Sequence, residues 1–155
     1  MTRPIYIVRH GNTFDKGDTV TRVGARTDLS LSRSGREQAD RLARHFRDAG
    51  IAFTKAVAGP LRRTVETAQT ILSLQSTPPS LEIEPFLREI DYGPDENRPE
   101  DDVIARIGEE ALQRWETQAV VPDGWHVDPD ALTKAWRSWF SAIAASGGTG
   151  PVLCV

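Results

Sequence analysis

At 155 residues the chain is the length of about one domain, enough to bury a core without disulfides or a structural metal. Hydrophobic residues at 39% and charged residues at 26% exclude disorder. No apolar run approaches the ~18 residues of a membrane span, and the lone Cys154 excludes an intrachain disulfide and Cys/His zinc spacing. The net charge of −3 is unevenly laid out. Residues 1–63 carry 13 Lys and Arg against 6 Asp and Glu, and the remainder 6 against 16. A basic first half suggests that an anion is handled there, although solvated charged faces are the plainer explanation of such a pattern. A pI near 5.6 and basic residues not interleaved with aromatics argue against nucleic acid. The apolar part of Met1–Val8 is too short for a signal peptide. The expectation is a cytoplasmic single-domain protein with no membrane or nucleic-acid partner. Its oligomeric state is not legible.

Strand-like and helix-like periods alternate along the chain, which predicts an α/β sheet protein. Ile5–Val8 is a continuous, β-branched apolar run and reads as a buried strand. Ser34-Gly35-Arg36-Glu37 reads as a capping box. Ala39, Leu42, Ala43 and Phe46 follow on one helical face, closed by Gly50. Ala56–Ala58 is a second strand. Gly59-Pro60 then opens a helix with Pro at its first position and Leu61, Val65, Ala68 and Leu72 inward. Leu81–Glu84 alternates as an edge strand would. Pro99 to about Thr117 is helical, anchored by Val103, Ile104, Ile107, Leu112 and Trp115 and broken at Gly108. Asp128-Pro129 starts a further helix whose stripe is Leu132, Ala135, Trp136, Trp139, Phe140 and Ile143, ended by Gly147-Gly148. Pro151–Val155 reads as another buried strand. Ligand loops sit at the carboxyl ends of such strands, so the natural chain is expected to continue past Val155.

Three short segments carry chemistry. Arg9-His10-Gly11 directly follows the first strand, where an open α/β sheet displays catalytic residues. There Gly11 leaves room for an anion, Asn12 and Thr13 add donors, and Arg9 supplies a fork suited to phosphate. A lone histidine after a strand is nonetheless more often structural. Arg62 and Arg63 stand at a helix start, where a guanidinium adds to the positive end of the backbone dipole; Arg62 reads as solvated. Glu89, in Leu87-Arg88-Glu89-Ile90-Asp91-Tyr92-Gly93, is a carboxyl among apolar residues, either a general acid or a surface side chain.

Taken in order and spacing, these segments resemble the histidine phosphatase superfamily, the phosphoglycerate mutase-like fold. Arg9-His10-Gly11-Asn12-Thr13 is similar to its opening motif, Arg26–Leu31 with Gly35–Ala39 to its next segment, Pro60-Leu61-Arg62-Arg63 to its Pro-Leu-x-Arg pattern, and Leu87–Gly93 to its Leu-Arg-Glu segment. The resemblance implies a three-layer α/β sandwich with a mostly parallel central sheet in a single domain over 1–155, with a helical cap at about 94–127. It implies His10 and Glu89 as catalytic residues, and Arg9, Arg63, Gly11, Asn12 and Thr13 as phosphate-binding ones. It implies no metal, no cofactor, and a small phosphorylated molecule as partner. The family's aromatic-Glu-Gly after Gly93 is reduced here to Glu96. A second catalytic histidine is expected just past the strand at Pro151–Val155, in a C-terminal part that these residues do not include. His45 and His126 fall outside the motifs and read as structural or solvated.

The implied chemistry is phosphoryl transfer through a phosphohistidine on His10, with the arginines offsetting charge and Glu89 protonating the leaving group. A phosphatase is the preferred outcome. A phosphoglycerate mutase-like phosphotransferase and a non-catalytic phosphate binder lacking the second histidine are the alternatives.

Overall fold

A computed structural model of the protein describes residues 3–155; Met1 and Thr2, and with them that part of the signal-peptide reading, lie outside the described residues. Four short strands form one sheet: β1 (Ile5–Ile7), β2 (Lys55–Ala58), β3 (Leu81–Ile83) and β4 (Val152–Cys154). They lie in the order β1-β4-β2-β3, with every neighbouring pair parallel. Parallel strands need helical crossovers. Here α1 (Arg33–Asp48) links β1 to β2, and α2 (Arg62–Ser73) links β2 to β3. Then α3 (Glu100–Ile107), α4 (Glu109–Gln118) and α5 (Pro129–Ala145) lead from β3 to β4.

Alternation along the strands sorts the core into two layers, as a parallel sheet covered on both faces requires. Ala56, Ala58, Leu153 and Val155 pack with Ala43 and Phe46 of α1 and Ala68 and Ile71 of α2. Val57, Val152 and Cys154 pack with Trp139 and Ile143 of α5. The result is the three-layer α/β sandwich expected from the sequence. Burial pushes the Cys154 thiol up to about 11, so it stays a packed, protonated side chain. No helix among the described residues is long and apolar enough to cross a membrane.

Local expectations fail where distant residues supply what the neighbours were expected to. The cap of α1 lies two residues ahead of the predicted one, Ser34. Ser32, in extended backbone, caps it by accepting from Gly35 N–H, while the N–H groups of Arg33 and Ser34 go to the Asp15 carboxylate at 3.1 and 3.0 Å. With these orphan donors satisfied from across the loop, Glu37 pairs instead with Arg33. Bonds from Ser34 and Ser32 hold the Asp15 carboxyl down at about 2. Likewise α2 starts at Arg62, not Pro60, because Leu61 occupies the cap position and the Asp28 carboxylate takes the Arg62 N–H at 2.7 Å. β1 is not fully buried either. It lies at a sheet edge, where Tyr6 meets Phe46 and Phe53 edge-on but Ile7 is 64% exposed. Other local signals hold: Gly108, with φ of 83°, separates α3 from α4, and Asp128 caps α5 through Ala131 N–H.

The stripe of α5 is covered only in part. Trp139 and Ile143 are buried, whereas Leu132 and Phe140 are each 40% exposed. The cause is length: strands of three or four residues span ~10–13 Å, while a helix of 17 residues spans ~25 Å. Leu132 and Trp136, in the amino-terminal half of α5, line a cleft together with Arg9 and His10. Residues 94–127 build a smaller cluster of their own around Val103, Leu112 and Trp125. At its base Asp95, 1% exposed, accepts two bonds from Arg106 at 2.7 and 2.5 Å and one from the Trp125 indole at 2.7 Å.

Candidate active site

The chain leaves β1 along β4, Val8 N–H still bonded to the Cys154 carbonyl, and delivers Arg9 and His10 at the carboxyl edge of the sheet. His10 Nδ1 lies 2.7 Å from the Gly11 carbonyl oxygen. A carbonyl only accepts, so Nδ1 carries the proton and Nε2 keeps its lone pair. That nitrogen accepts from Nε of Arg63 at 3.2 Å. Burial pulls the His10 imidazole below its ordinary value, and the charges of Arg63 and Arg9 pull the same way, while the Gly11 bond and Glu89 oppose them. The ring is neutral at neutral pH.

The loop after His10 is held differently from the sequence expectation. Gly11 N–H, expected to lie open to an anion, donates to Thr67 Oγ1 at 3.2 Å, which itself donates to the Arg63 carbonyl at 2.7 Å. Asn12 N–H donates to Gln38 Oε1 at 2.8 Å, and the Asn12 amide donates to the Ser34 hydroxyl at 3.3 Å. Glycine is required at position 11 because a Cβ there would collide with the Gly35 carbonyl; one on Gly35 would collide with the Asn12 carbonyl. The two glycines let the loop lie directly on the start of α1.

Arg63, in the first turn of α2, is 1% exposed. Besides His10 it donates to the carbonyls of Thr27 at 3.0 Å and Gly24 at 3.5 Å. Arg62 points outward and pairs loosely with Glu66 at 3.7 Å, so the two neighbours divide as the Pro-Leu-x-Arg spacing implies. Burial draws the Arg63 guanidinium down from its ordinary range, against Glu89, Asp28 and Glu96, which draw it up. The carbonyls that receive Arg63 belong to a loop fastened by Glu96. Its carboxylate accepts from the N–H groups of Gly24, Arg26 and Tyr92 at 3.2–3.3 Å and from the Thr27 hydroxyl.

Glu89 follows a 3-10 turn over Pro85–Leu87, and its Oε1 accepts the Ile90 N–H at 2.9 Å. A cleft of about 270 Å³ is lined by Arg9, His10, Arg63 and Glu89, with Phe86 and Trp136 among its apolar walls. Four of the seven residues singled out from the sequence thus share one cleft. Gly11 and Asn12 line an adjoining hollow of about 260 Å³ that also touches Arg9 and His10. Thr13 is half-buried and lines neither. Sequence reasoning missed Thr67, Gln38 and Glu96 as supports of the loop and of Arg63. Gln38 lies within the matched Gly35–Ala39 segment and Glu96 is what remains of the aromatic-Glu-Gly pattern; these were the only signals for them. His45 sits on the exposed side of α1 beside Phe46. His126 is exposed, 3.8 Å from Asp91.

An imidazole whose Nε2 carries no proton and accepts from a buried guanidinium, with a carboxyl in the same cleft, can supply a nucleophile, an anion-stabilising cation and an acid–base group. The model of the histidine phosphatase superfamily (branch 1) matches residues 5–155. The chain belongs to the histidine phosphatase superfamily. Among relatives within that superfamily, it is 34% identical over 103 residues to fructose-2,6-bisphosphatase TIGAR B of Danio rerio, a stretch covering 65% of this chain and 39% of the relative. It is 28% identical over 146 residues to 2,3-bisphosphoglycerate-dependent phosphoglycerate mutase of Bartonella bacilliformis, covering 92% and 69%. The chain thus spans well under half of the first relative and about two thirds of the second. Among solved structures, a mycobacterial glucosyl-3-phosphoglycerate phosphatase in complex with VO3 superposes with a TM-score of 0.81 at 23% identity, covering 99% of this chain and 75% of that one. Superfamily relatives of this chain thus include both phosphatases and phosphoglycerate mutases.

Proposed function

We propose that this protein is a phosphatase that hydrolyses a phosphate monoester through a phosphohistidine on His10. The observation that carries the reading is the state of one ring: Nδ1 is committed to the Gly11 carbonyl and Nε2 turns its lone pair to Arg63, in a cleft shared with Glu89. Nε2 attacks phosphorus, and the phosphorus–oxygen ester bond breaks as the nitrogen–phosphorus bond forms. Arg63 exchanges its bond to the ring for one to a phosphoryl oxygen, and Arg9 holds a second, offsetting the charge without a metal. The Asn12 amide, exposed beside His10, offers a further donor, while Gly11 and Thr13 shape the loop. Glu89, as the acid, gives its proton to the leaving oxygen. As the carboxylate it then takes a proton from the water that attacks phosphorus, which releases phosphate and returns the neutral imidazole. Residues 94–127 serve as a cap at the cleft, and a small phosphorylated molecule in the cytoplasm is the substrate setting this reading favours.

Brief incubation with a chromogenic phosphate ester should leave an acid-labile, base-stable phosphate on the protein and release free phosphate on longer incubation. The His10→Ala variant should carry no label; equal labelling of both proteins would overturn the assignment. Glu89→Gln should slow esters with poor leaving groups far more than those with good ones, whereas a structural role would slow both alike.

A further inference from the structure

We infer that Gln38 is a positioning residue for His10: by accepting the Asn12 N–H it turns the Gly11 carbonyl onto His10 Nδ1, and so keeps the proton off Nε2. The inference rests on the reading above, in which Nε2 is the nucleophile. The two contacts belong to one rigid group. The Gly11 carbonyl and the Asn12 N–H are opposite ends of a single peptide unit, which is planar and trans, so they point in opposite directions. One end lies 2.7 Å from His10 Nδ1, and the other donates to Gln38 Oε1 at 2.8 Å. A plane held at its N–H end presents its carbonyl in one direction.

The flanking peptide units do not supply this hold. Gly11 N–H, in the unit before, goes to Thr67 Oγ1 at 3.2 Å. The Asn12 carbonyl, in the unit after, accepts from Ser32 N–H at 2.9 Å. The middle plane can still swing between those two anchors, and Gly11 brings no side chain to resist. Among the described residues, Gln38 is its one fastening besides the ring. Gln38 stands on α1 next to the buried Ala39, so it is carried on a packed helix and not on the loop it holds. Arg63 favours the same tautomer, since its Nε donates to His10 Nε2 at 3.2 Å. In the proposed reaction that bond passes to a phosphoryl oxygen. From then until attack the Gly11 carbonyl alone keeps the ring from its other neutral form, the Nε2–H form that a free imidazole prefers. With the proton on Nε2, that nitrogen has no lone pair for phosphorus. In Gln38→Leu, water entering from the adjoining hollow would satisfy the Asn12 N–H but, being free to move, would not hold the plane.

Nitrogen-15 NMR of the histidine ring reads the tautomer without turnover, with the His10 signals assigned by their loss in His10→Ala. Arg63→Met removes the second hold and isolates the carbonyl. In that background, at pH ~9 where the ring is neutral, His10 should keep its proton on Nδ1. Adding Gln38→Leu should make the Nε2–H form the majority. Adding Gln38→Glu, which keeps an acceptor at the same reach, should leave the proton on Nδ1. With Arg63 in place, Gln38→Leu should lower kcat on a chromogenic ester by ~10-fold or more with KM little changed, and Gln38→Glu should recover most of it. A ring that stays Nδ1–H in the Arg63→Met, Gln38→Leu chain, an unchanged kcat in Gln38→Leu, or a Glu variant that behaves as the Leu variant does would each overturn the inference. The outcomes separate it from the catalytic reading. A chain whose His10 tautomer follows Gln38 but which is never phosphorylated on His10 loses the catalysis alone. A chain that is phosphorylated on His10, with tautomer and kcat indifferent to Gln38, loses the positioning role alone.

Discussion

His10 is a histidine whose fold disfavours its protonated form. Its value is drawn below the ordinary 6.5 by burial and by the neighbouring guanidiniums, so the unfolded chain binds more protons at this position than the folded one. Stability therefore rises with pH between the depressed folded value and 6.5: the loss sets in as pH falls below 6.5 and stops growing once pH has passed the folded value. The proposed nucleophilic role follows the same sign, because only a neutral ring can attack. An NMR titration should place the His10 midpoint under 6.5, with the acid limb of kcat/KM tracking it. In Arg63→Met the midpoint should move up, since one of the charges that depress it is gone, and turnover should fall by ~10²–10³. An unmoved midpoint would mean that Arg63 exerts no field on the ring. These residues were legible because each follows a strand within a short, recognisable run. The tautomer of His10 was not, because it depends on a single carbonyl orientation that no spacing encodes.

At the scale of elements, the site depends on a loop more than on any helix. Arg63 is aimed by the carbonyls of Gly24 and Thr27, and those residues are fastened by Glu96, about 70 positions along the chain. Removing one acceptor that serves several partly buried donors strands them all. Glu96→Ala should cost about 1–3 kcal/mol in urea unfolding and should also lower turnover by loosening Arg63, with the His10 midpoint rising as a second readout. A stability loss with no change at His10 would confine Glu96 to holding the fold. The same distance explains which local expectations failed. Gly108 and Asp128 act on their own helices, and both were legible. The start of α1 was misplaced because Asp15, on the preceding loop, satisfies donors that the sequence seemed to assign to Ser34 and Glu37. The start of α2 moved for the same reason, through Asp28.

The whole molecule has a layered core beneath the cleft and a second cluster tied to the rest by Glu96 and by the Arg22–Glu100 pair, with Asp95 buried inside it. Burial works against the charge of Asp95, but the bonds from Arg106 and Trp125 outweigh it and hold the carboxyl below its usual range. The stability it contributes is present above the unfolded value of 3.8 and is lost as pH falls through the lower folded value. Asp95→Ala leaves Arg106 without its partner and should cost about 3 kcal/mol, visible as an early change in Trp125 fluorescence during denaturation. Leu153→Ala, at a fully buried position in the central strand, should instead cost about 2–5 kcal/mol in one transition shared by all probes. The sandwich was legible because its strands and stripes are periodic. The helices and apolar anchors of the second cluster, Val103, Ile104, Ile107, Leu112 and Trp115, were legible for the same reason; the buried Asp95 was not, since an aspartate beneath a tryptophan breaks the usual rule of what is buried. One contact bears on motion as well as on stability. Gly11 and Gly35 meet main chain to main chain, with no side chain between them to yield as a spring would. The support of His10 therefore moves with the sixteen-residue helix beneath it, and the ring inherits the inertia of a rod although it is carried on a loop.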